Sequence, residues 1–135
     1  MQWNLQEMEK WEELQPYVDT ALLPLYLYRT EMELPKQVLR MSYLMNLGAA
    51  IEQKLKGRVL LFPLCYQLGE AARPQQFPKE FKHCVCLQFP GEQLKVEAEN
   101  VTVLTVGEED LESALRFEVT ADIFSQEIIR IWQGK

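Results

Sequence analysis

Asp19 and Thr20 stand at the head of a segment, 21–27, that is otherwise almost continuously apolar. A carboxylate taken into a protein core needs a partner, because an unpaired buried charge is costly. Arg29, Arg58 or a backbone amide could be that partner. A structural hydrogen bond is therefore the favoured interpretation of this polar pair.

A ligand site is the alternative interpretation of the same residues. In that case Asp19 would be the acid, with Thr20 beside it in the binding site, Arg29 the cation, and Asp110 a metal ligand or helix cap. These groups suit the binding or hydrolysis of a small molecule at one edge of a sheet. The sequence shows no nucleophile paired with a base, so we predict no catalytic residue.

An acidic run, Glu108, Glu109 and Asp110, lies at the start of the last predicted helix. Together with Asp19 or Glu31 these carboxylates could hold Mg²⁺, which prefers oxygen ligands. Carboxylates at a helix start are more often caps that interact with the positive end of the helix dipole. We therefore predict no metal site.

His83 is the only histidine, and it lies beside Cys84 and Cys86. Structural zinc requires two ligand pairs, usually with a C-x-x-C knuckle, whereas a C-x-C spacing on a strand places both thiols on one face. A structural histidine and buried, reduced cysteines are favoured. A redox role for Cys65 stays open as the weaker alternative.

Phosphate-binding loops and the G-x-S-x-G motif are absent from the sequence. The segments 89–92 and 106–109, which follow two predicted strands, carry acids rather than cations and so disfavour phosphate. We predict no nucleotide or other cofactor.

The composition indicates one globular domain that spans 1–135, with 47% hydrophobic and 25% charged residues. The net charge of −6 argues against nucleic acids and anionic membrane surfaces as partners. No apolar run approaches the roughly 20 residues that span a bilayer, and the first residues do not resemble a signal peptide. We expect a cytoplasmic protein.

The first elements are a helix and a strand. Asn4, with Glu7 three residues later, is a capping-box variant that predicts a helix over 4–14. Residues 17–28 predict the first strand, with a bulge or an early end at Pro24, which cannot donate to a ladder.

A second helix and a second strand complete a βαβ unit. Pro35 suits the first turn of the helix, Gly57 suits the residue after its end, and 58–62 predict the strand. The buried stripe of this helix is predicted to contain Val38, Met41, Leu44, Met45, Gly48, Ile51 and Leu55.

The second half predicts two further strands, 83–88 and 101–106, and a last helix over about 109–132. Residues 69–78 are predicted to form a loop, and 92–99 predict either a helical turn or a short strand pair. The buried seam of the last helix is predicted to contain Ala114, Phe117, Ala121, Phe124, Ile128 and Ile131.

Two of the four strands are near-continuous apolar runs, which is typical of strands covered on both faces. We therefore predict an α/β fold: a single three-layer α/β/α domain with a mostly parallel sheet of about four strands. Ligands of such sheets bind beyond the carboxyl ends of the strands. The predicted rim consists of 28–31, 63–66, 89–92 and 106–110.

The last helix carries a second apolar set, Leu115, Val119 and Ile123, beside its main seam. Such breadth indicates either a deeply buried helix or one that also faces a partner. Burial in the three-layer core is favoured, and a homodimer or protein-partner surface is the hypothesis set beside it.

Four segments resemble the YpiF-like family, small proteins of unknown function from Bacillus-type bacteria. They are Trp3 with its short helix, 17–25 (YVDTALLPL), 55–63 (LKGRVLLFP) and 81–83 (FKH). The resemblance implies a defined bend around Pro24 and a loose link to expression or assembly of the menaquinol–cytochrome c reductase. It implies no catalytic residue.

The leading functional hypothesis is a non-enzymatic accessory or interaction protein. It depends on the missing catalytic set and on the broad apolar last helix. The alternative is a small-molecule-binding or hydrolytic domain that uses the sheet rim.

Overall fold

Strands and helices alternate along the described residues, which are 1–68, 77–90 and 100–134 of the computed structural model. The strands are β1 (Thr20–Tyr28), β2 (Val59–Leu61), β3 (Cys65–Leu68), β4 (His83–Gln88) and β5 (Val101–Thr105). The helices are α1 (Leu5–Met8), α2 (Trp11–Leu14), α3 (Leu34–Lys54) and α4 (Ala114–Trp132), and a 3₁₀ helix spans Glu108–Asp110. The predicted segment 92–99 and most of the predicted loop 69–78 lie outside the described residues.

The strands form one parallel sheet in the order β2-β1-β4-β5, and β3 pairs with β1 as well. Both β2 and β3 lie along the same edge of β1, pairing with its first and last residues respectively. The sheet is therefore about four strands wide. The prediction of an α/β domain with a parallel sheet is confirmed.

Helices cover both faces of the sheet. The side chains of Leu22 and Val85 belong to a core shared with α3 and α4. Ala21 and Cys84, one position earlier on the same strands, belong to a second core against which α1 and α2 pack. This alternation is the consequence of the two-residue period of a strand.

Pro24 lies inside β1, and the predicted bulge or early end there is wrong. On one side β1 pairs without interruption with β4, where Pro24 is opposite Leu87. On the other side the Leu22 carbonyl accepts a hydrogen bond from the Phe62 amide (2.9 Å). Pro24, two residues on, points its missing donor to that same side, which is where the neighbouring strand is split into β2 and β3.

The strand β3 was not predicted, and it changes the position of the rim. Residues 63–66 were expected at the carboxyl edge, but β3 continues the second strand position to Leu68. The predicted rim at 63–66 is therefore wrong.

The buried face of α3 is rotated relative to the predicted stripe. Val38 and Met45 are about half exposed, at 53% and 52%. The buried positions that replace them include Gln37 and Arg40. The ring of Tyr43 contacts Phe117 at 5.4 Å between centroids, so α3 turns its buried side toward α4.

The predicted helix over 4–14 is divided into α1 and α2. Asn4 does cap α1, since its Oδ1 accepts a hydrogen bond from the Glu7 amide (2.7 Å). Helices this short are set by packing rather than by propensity. Trp11 packs near Phe81, whereas Leu5 is 87% exposed.

The last helix begins later than predicted, at Ala114. Ser113 caps it by accepting a hydrogen bond from the Arg116 amide (3.2 Å). The acidic run lies before the cap, in the 3₁₀ helix. Among the helices of the described residues, none has the length and apolar character needed to cross a bilayer.

Candidate functional site

The sequence-predicted ligand residues lie at opposite ends of the sheet. Asp19 and Thr20 are at the amino end of β1, whereas Arg29 follows its last residue. Nine strand residues span about 30 Å. Asp110 ends the 3₁₀ helix that follows β5, so it lies toward the same edge as Arg29. The structure does not bring these four residues together.

Asp19 forms a bidentate ion pair at the amino end of β1. Its carboxylate accepts hydrogen bonds from Nε (3.1 Å) and Nη2 (2.9 Å) of Arg58, which was among the partners considered from the sequence. The Thr20 hydroxyl donates to the same carboxylate (2.9 Å). The favoured structural interpretation of the pair agrees with this geometry.

Trp132, near the end of α4, joins the same cluster. Its indole Nε1 donates to the Thr20 hydroxyl oxygen (2.7 Å), and the Arg58 guanidinium lies 4.1 Å from the ring centroid. A cation over an indole face is stabilised by the ring quadrupole. The cluster therefore fastens the end of the last helix to the start of the central strand.

Burial, hydrogen bonds and charges around this cluster shift the pKa values of Asp19 and His83. Partial burial acts to raise the pKa of Asp19, but hydrogen bonds from Arg58 and Thr20 and the charge of Arg58 outweigh it, so the pKa lies below its usual value. Burial lowers the pKa of His83 and outweighs the opposing attraction of Asp19. His83 is therefore neutral at pH 7, which suits a structural role.

Asp19→Asn is expected to reduce the loss of stability in acid. Because the folded-state pKa of Asp19 is depressed, its contribution is complete above the unfolded-state pKa of about 4 and is lost as the pH falls below that value. Urea unfolding between pH 3 and pH 7 measures this dependence. Asp122→Asn, which changes a carboxylate that is 65% exposed, is the matched control. An identical acid slope in the two variants would contradict the prediction.

The opposite edge of the sheet contains its switch point. From β1 the chain passes through α3 to β2 on one side, and from β4 it passes to β5 on the other side. The carboxyl ends of β1 and β4 therefore border the crevice in which open parallel sheets bind ligands.

Arg40 of α3 fills this crevice. Its guanidinium lies 4.2 Å from the ring centroid of Phe89, which follows β4, and 6.0 Å from that of Tyr26 in β1. Arg40 is only 3% exposed. Its Nη1 donates to the Glu108 carboxylate, which comes from the 3₁₀ helix beyond β5.

Gln37, one turn earlier on α3, is fixed in the same region. It accepts a hydrogen bond from the Tyr26 hydroxyl, and its amide donates to the backbone carbonyl of Arg29. The residue is 1% exposed. The edge that the sequence nominates for ligands is thus occupied by side chains of the chain itself.

The cysteines form no recognisable site. Cys84 and Cys86 are buried on β4, and burial raises the pKa of Cys86 to about 12. Cys65 is exposed. Within residues 1–68, 77–90 and 100–134, no group of three or more His, Cys, Asp or Glu side chains is placed to hold a metal ion.

A groove of about 350 Å³ opens beside Cys65. Its described lining includes Leu25, Phe62 and Phe77, and the side chains that line it are apolar apart from the thiol. Ligand sites usually add a few placed polar groups that orient the ligand. The described part of this groove does not offer them.

The outer face of α4 carries an apolar stripe. Leu115, Val119 and Ile123 are 77%, 49% and 52% exposed and are spaced four residues apart. The predicted burial of this set is wrong, because Ala121 and Ile128 on the opposite side of the helix face the core. We refer to Leu115, Val119 and Ile123 as the α4 stripe.

A family model described as "Protein of unknown function (DUF2487)" matches residues 9–133. The chain belongs to the DUF2487 family. No curated protein and no solved structure shows significant similarity to it.

Two buried residues of this DUF2487 chain, Gln37 and Arg40, were missed by the sequence analysis. They lie seven and four residues before Leu44, so they share the helix face that Leu44 buries. Polar residues in register with an apolar stripe were the available signal. The sequence hides this signal, because Val38 and Met41 complete a plausible apolar stripe without Gln37 and Arg40.

Proposed function

We propose that this DUF2487 chain is a non-enzymatic accessory domain that acts through protein contact, with the α4 stripe at the centre of its contact surface. The exposure of Leu115, Val119 and Ile123 is the observation that carries the proposal. Contiguous exposed apolar patches are a mark of surfaces that contact proteins, membranes or ligands. The filled crevice at the switch point supports the same conclusion.

A second copy of the chain is the partner that fits the stripe. Its residues are spaced symmetrically about Val119. In a twofold dimer each surface meets its own copy, so Leu115 of one chain would pack against Ile123 of the other. Every apolar residue of the stripe then has an apolar neighbour.

The outer face of α3 extends this surface. Ser42, Asn46 and Gln53 are exposed and lie on the side of α3 away from buried Leu44. These three side chains carry no charge, which suits an interface centre, whereas the exposed Lys54–Asp122 ion pair (2.8 Å) joins the two helices elsewhere on the surface. One helix of 19 residues is about 28 Å long and falls short of the roughly 800 Å² that each partner buries in a stable interface. Both helices should therefore take part in the interface.

Val119→Glu is expected to abolish the dimer, because it places two carboxylates on the twofold axis. Sedimentation equilibrium at high micromolar concentration should give twice the chain mass of 15.8 kDa for the unchanged protein and a single mass for the variant. Leu5→Glu adds the same charge at an exposed apolar residue of α1 and should remain dimeric. A mass of one chain for the unchanged protein at that concentration would remove the homodimer.

The YpiF-like resemblance adds a cellular role to the proposal, namely support of the expression or assembly of the menaquinol–cytochrome c reductase. In a bacterium that carries the gene, Val119→Glu should lower the amount of assembled reductase and Leu5→Glu should not. An unchanged amount after deletion of the gene would contradict this role.

The alternative function, a small-molecule-binding or hydrolytic domain that uses Asp19, Thr20, Arg29 and Asp110, has less support. The first two residues lie at the amino edge of the sheet and the last two toward the carboxyl edge. Asp19 and Thr20 are moreover engaged by Arg58 and Trp132.

A further inference from the structure

The amino group of Met1 lies inside the protein, where it meets a buried carboxylate. The α-ammonium nitrogen is 2.5 Å from Oε1 of Glu52, and the two side chains are 2% and 1% exposed. We propose that this amine is a modification site, and that its acylation by a formyl, acetyl or larger group keeps Met1 out of the core and destabilises the fold. The proposal does not depend on the contact surface of α4.

The first support is the pairing of Glu52. Within the described part of the chain, the α-ammonium of Met1 is the one cation that forms an ion pair with this carboxylate. The other carboxylate oxygen accepts a hydrogen bond from the Gln53 side-chain amide (3.1 Å), which is neutral. Acylation would turn the ammonium into an uncharged amide, so Glu52 would keep a buried negative charge without a counter-charge.

The second support is the backbone of Met1, which lies along the outer edge of β2. Its nitrogen donates to the Val59 carbonyl (2.7 Å), and its carbonyl accepts a hydrogen bond from the Leu61 amide (2.9 Å). These are the bonds that a residue of a parallel neighbouring strand makes. An ammonium has enough donors for Val59 and Glu52 at once, whereas an acylated amine has a single N–H, so one of these acceptors would lose its bond.

The third support is the burial of Met1 as a whole. The residue is 4% exposed and belongs to the core that also contains Val18, Leu60 and Phe81. Formyl is the smallest acyl group, and even this group adds a carbon and an oxygen atom at the nitrogen. Because protein cores are closely packed, these atoms would displace Met1 from its place beside β2.

The burial also fixes the order of processing and folding. Because the amine is enclosed, an acyl group can be added or removed only while Met1 is away from the core. In deformylation the C–N bond of the formamide is hydrolysed: the oxygen of water goes to the departing formate, and both protons of water go to the nitrogen, which becomes the ammonium. A deformylating enzyme must therefore act before Met1 docks beside β2, and docking then shields the amine.

Chemical acetylation of the unchanged, folded chain tests this shielding. The chain is treated with N-hydroxysuccinimidyl acetate at neutral pH, and peptide mass spectrometry follows the amines of Met1 and of the exposed Lys56. Lys56 should be acetylated in the folded chain, whereas Met1 should react only after urea has unfolded it. Acetylation of Met1 at the same rate in the folded and unfolded chains would overturn the proposal.

The formylated chain tests the effect on stability. Expression in the presence of a deformylase inhibitor gives this form, and intact mass spectrometry distinguishes it from the chain with a free amine. Urea unfolding should give a folding equilibrium constant about a hundredfold or more lower for the formylated chain, the effect of removing one partner from a buried ion pair. Equal stability of the two forms would overturn the proposal.

Glu52→Gln tests whether the buried carboxylate is the cause. It removes the charge, so formylation should lower the folding equilibrium constant by less in this variant than in the unchanged chain. Glu13→Gln, which changes an exposed carboxylate of α2, is the matched control and should respond to formylation as the unchanged chain does. The same effect of formylation in all three chains would overturn the proposal. Should Glu52→Gln fail to fold, the two tests on the unchanged chain still decide the question.

Discussion

Phe89→Ala is expected to lower the free energy of unfolding by about 3–5 kcal/mol, the range for a large aromatic residue removed from a core. Phe89 is fully buried and ranks among the largest side chains with no exposure. Its removal leaves a cavity and takes away the ring over which the Arg40 guanidinium lies at 4.2 Å. Both losses fall on the carboxyl edge of the sheet.

Urea unfolding followed by circular dichroism measures the effect, and two variants separate its causes. Phe89→Leu keeps most of the apolar volume but has no aromatic face, so it should lose about 1–2 kcal/mol. Tyr66→Ala removes an aromatic side chain that is 54% exposed and should change stability by less than about 1 kcal/mol. A loss for Phe89→Ala as small as that for Tyr66→Ala would show that the crevice is not tightly packed.

The βαβ unit was the most predictable part of the fold. Pro35 lies in the first turn of α3, and Gly57 has a φ of +99°, which glycine adopts without strain. Between Pro35 and Gly57 the spacing of the apolar residues is that of a helix and not of a strand. Local chemistry that marks both ends of an element is therefore sufficient to place it.

Tertiary packing decided what the local signals could not. Pro24 is a strand breaker by local rules, yet β1 continues because the missing donor falls at the gap between β2 and β3. The division of the second strand into β2 and β3 occurs opposite Pro24, so it depends on the pairing with β1. Neither feature can be predicted from the residues of one segment alone.

The candidate site was predicted only as a place. The sequence nominated the carboxyl rim at 28–31, 89–92 and 106–110, and the crevice between β1 and β4 lies there. Arg40 and Gln37 come from the middle of a helix, so no rim segment contains them. Glu108 was considered as a metal ligand or cap, whereas in the structure it pairs with Arg40, 68 residues away. A long-range ion pair of this kind leaves no pattern in a single sequence.

The α4 stripe is a second feature that a single sequence could not decide. A second apolar set on a helix has two outcomes, burial or a partner surface, and its spacing is identical in both. The layer arrangement decides between them: α3 and α4 share the core on one face of the sheet, and no other described helix or strand belongs to that layer. Leu115, Val119 and Ile123 are exposed for that reason.

Trp132→Ala is expected to lower the free energy of unfolding by about 2–3 kcal/mol, somewhat less than for a fully buried tryptophan because the ring is only partly buried. The loss has two sources. The ring carries the Arg58 guanidinium at 4.1 Å, and the indole N–H donates to the hydroxyl oxygen of Thr20, which has no exposure to solvent. The variant should also release the last turn of α4, which amide hydrogen exchange would detect.

Trp132→Phe separates these sources, because it keeps an aromatic face for Arg58 and removes the donor. We expect it to cost about 1 kcal/mol, the net contribution of one hydrogen bond. Combining each variant with Arg58→Gln tests the assignment further. Arg58→Gln should lower the free energy of unfolding by less in the Trp132→Ala background than in the Trp132→Phe background. In the Trp132→Ala variant the stack between the guanidinium and the ring is already lost. Equal penalties in the two backgrounds would show that Arg58 acts through Asp19 alone and that the stack contributes nothing to fastening α4.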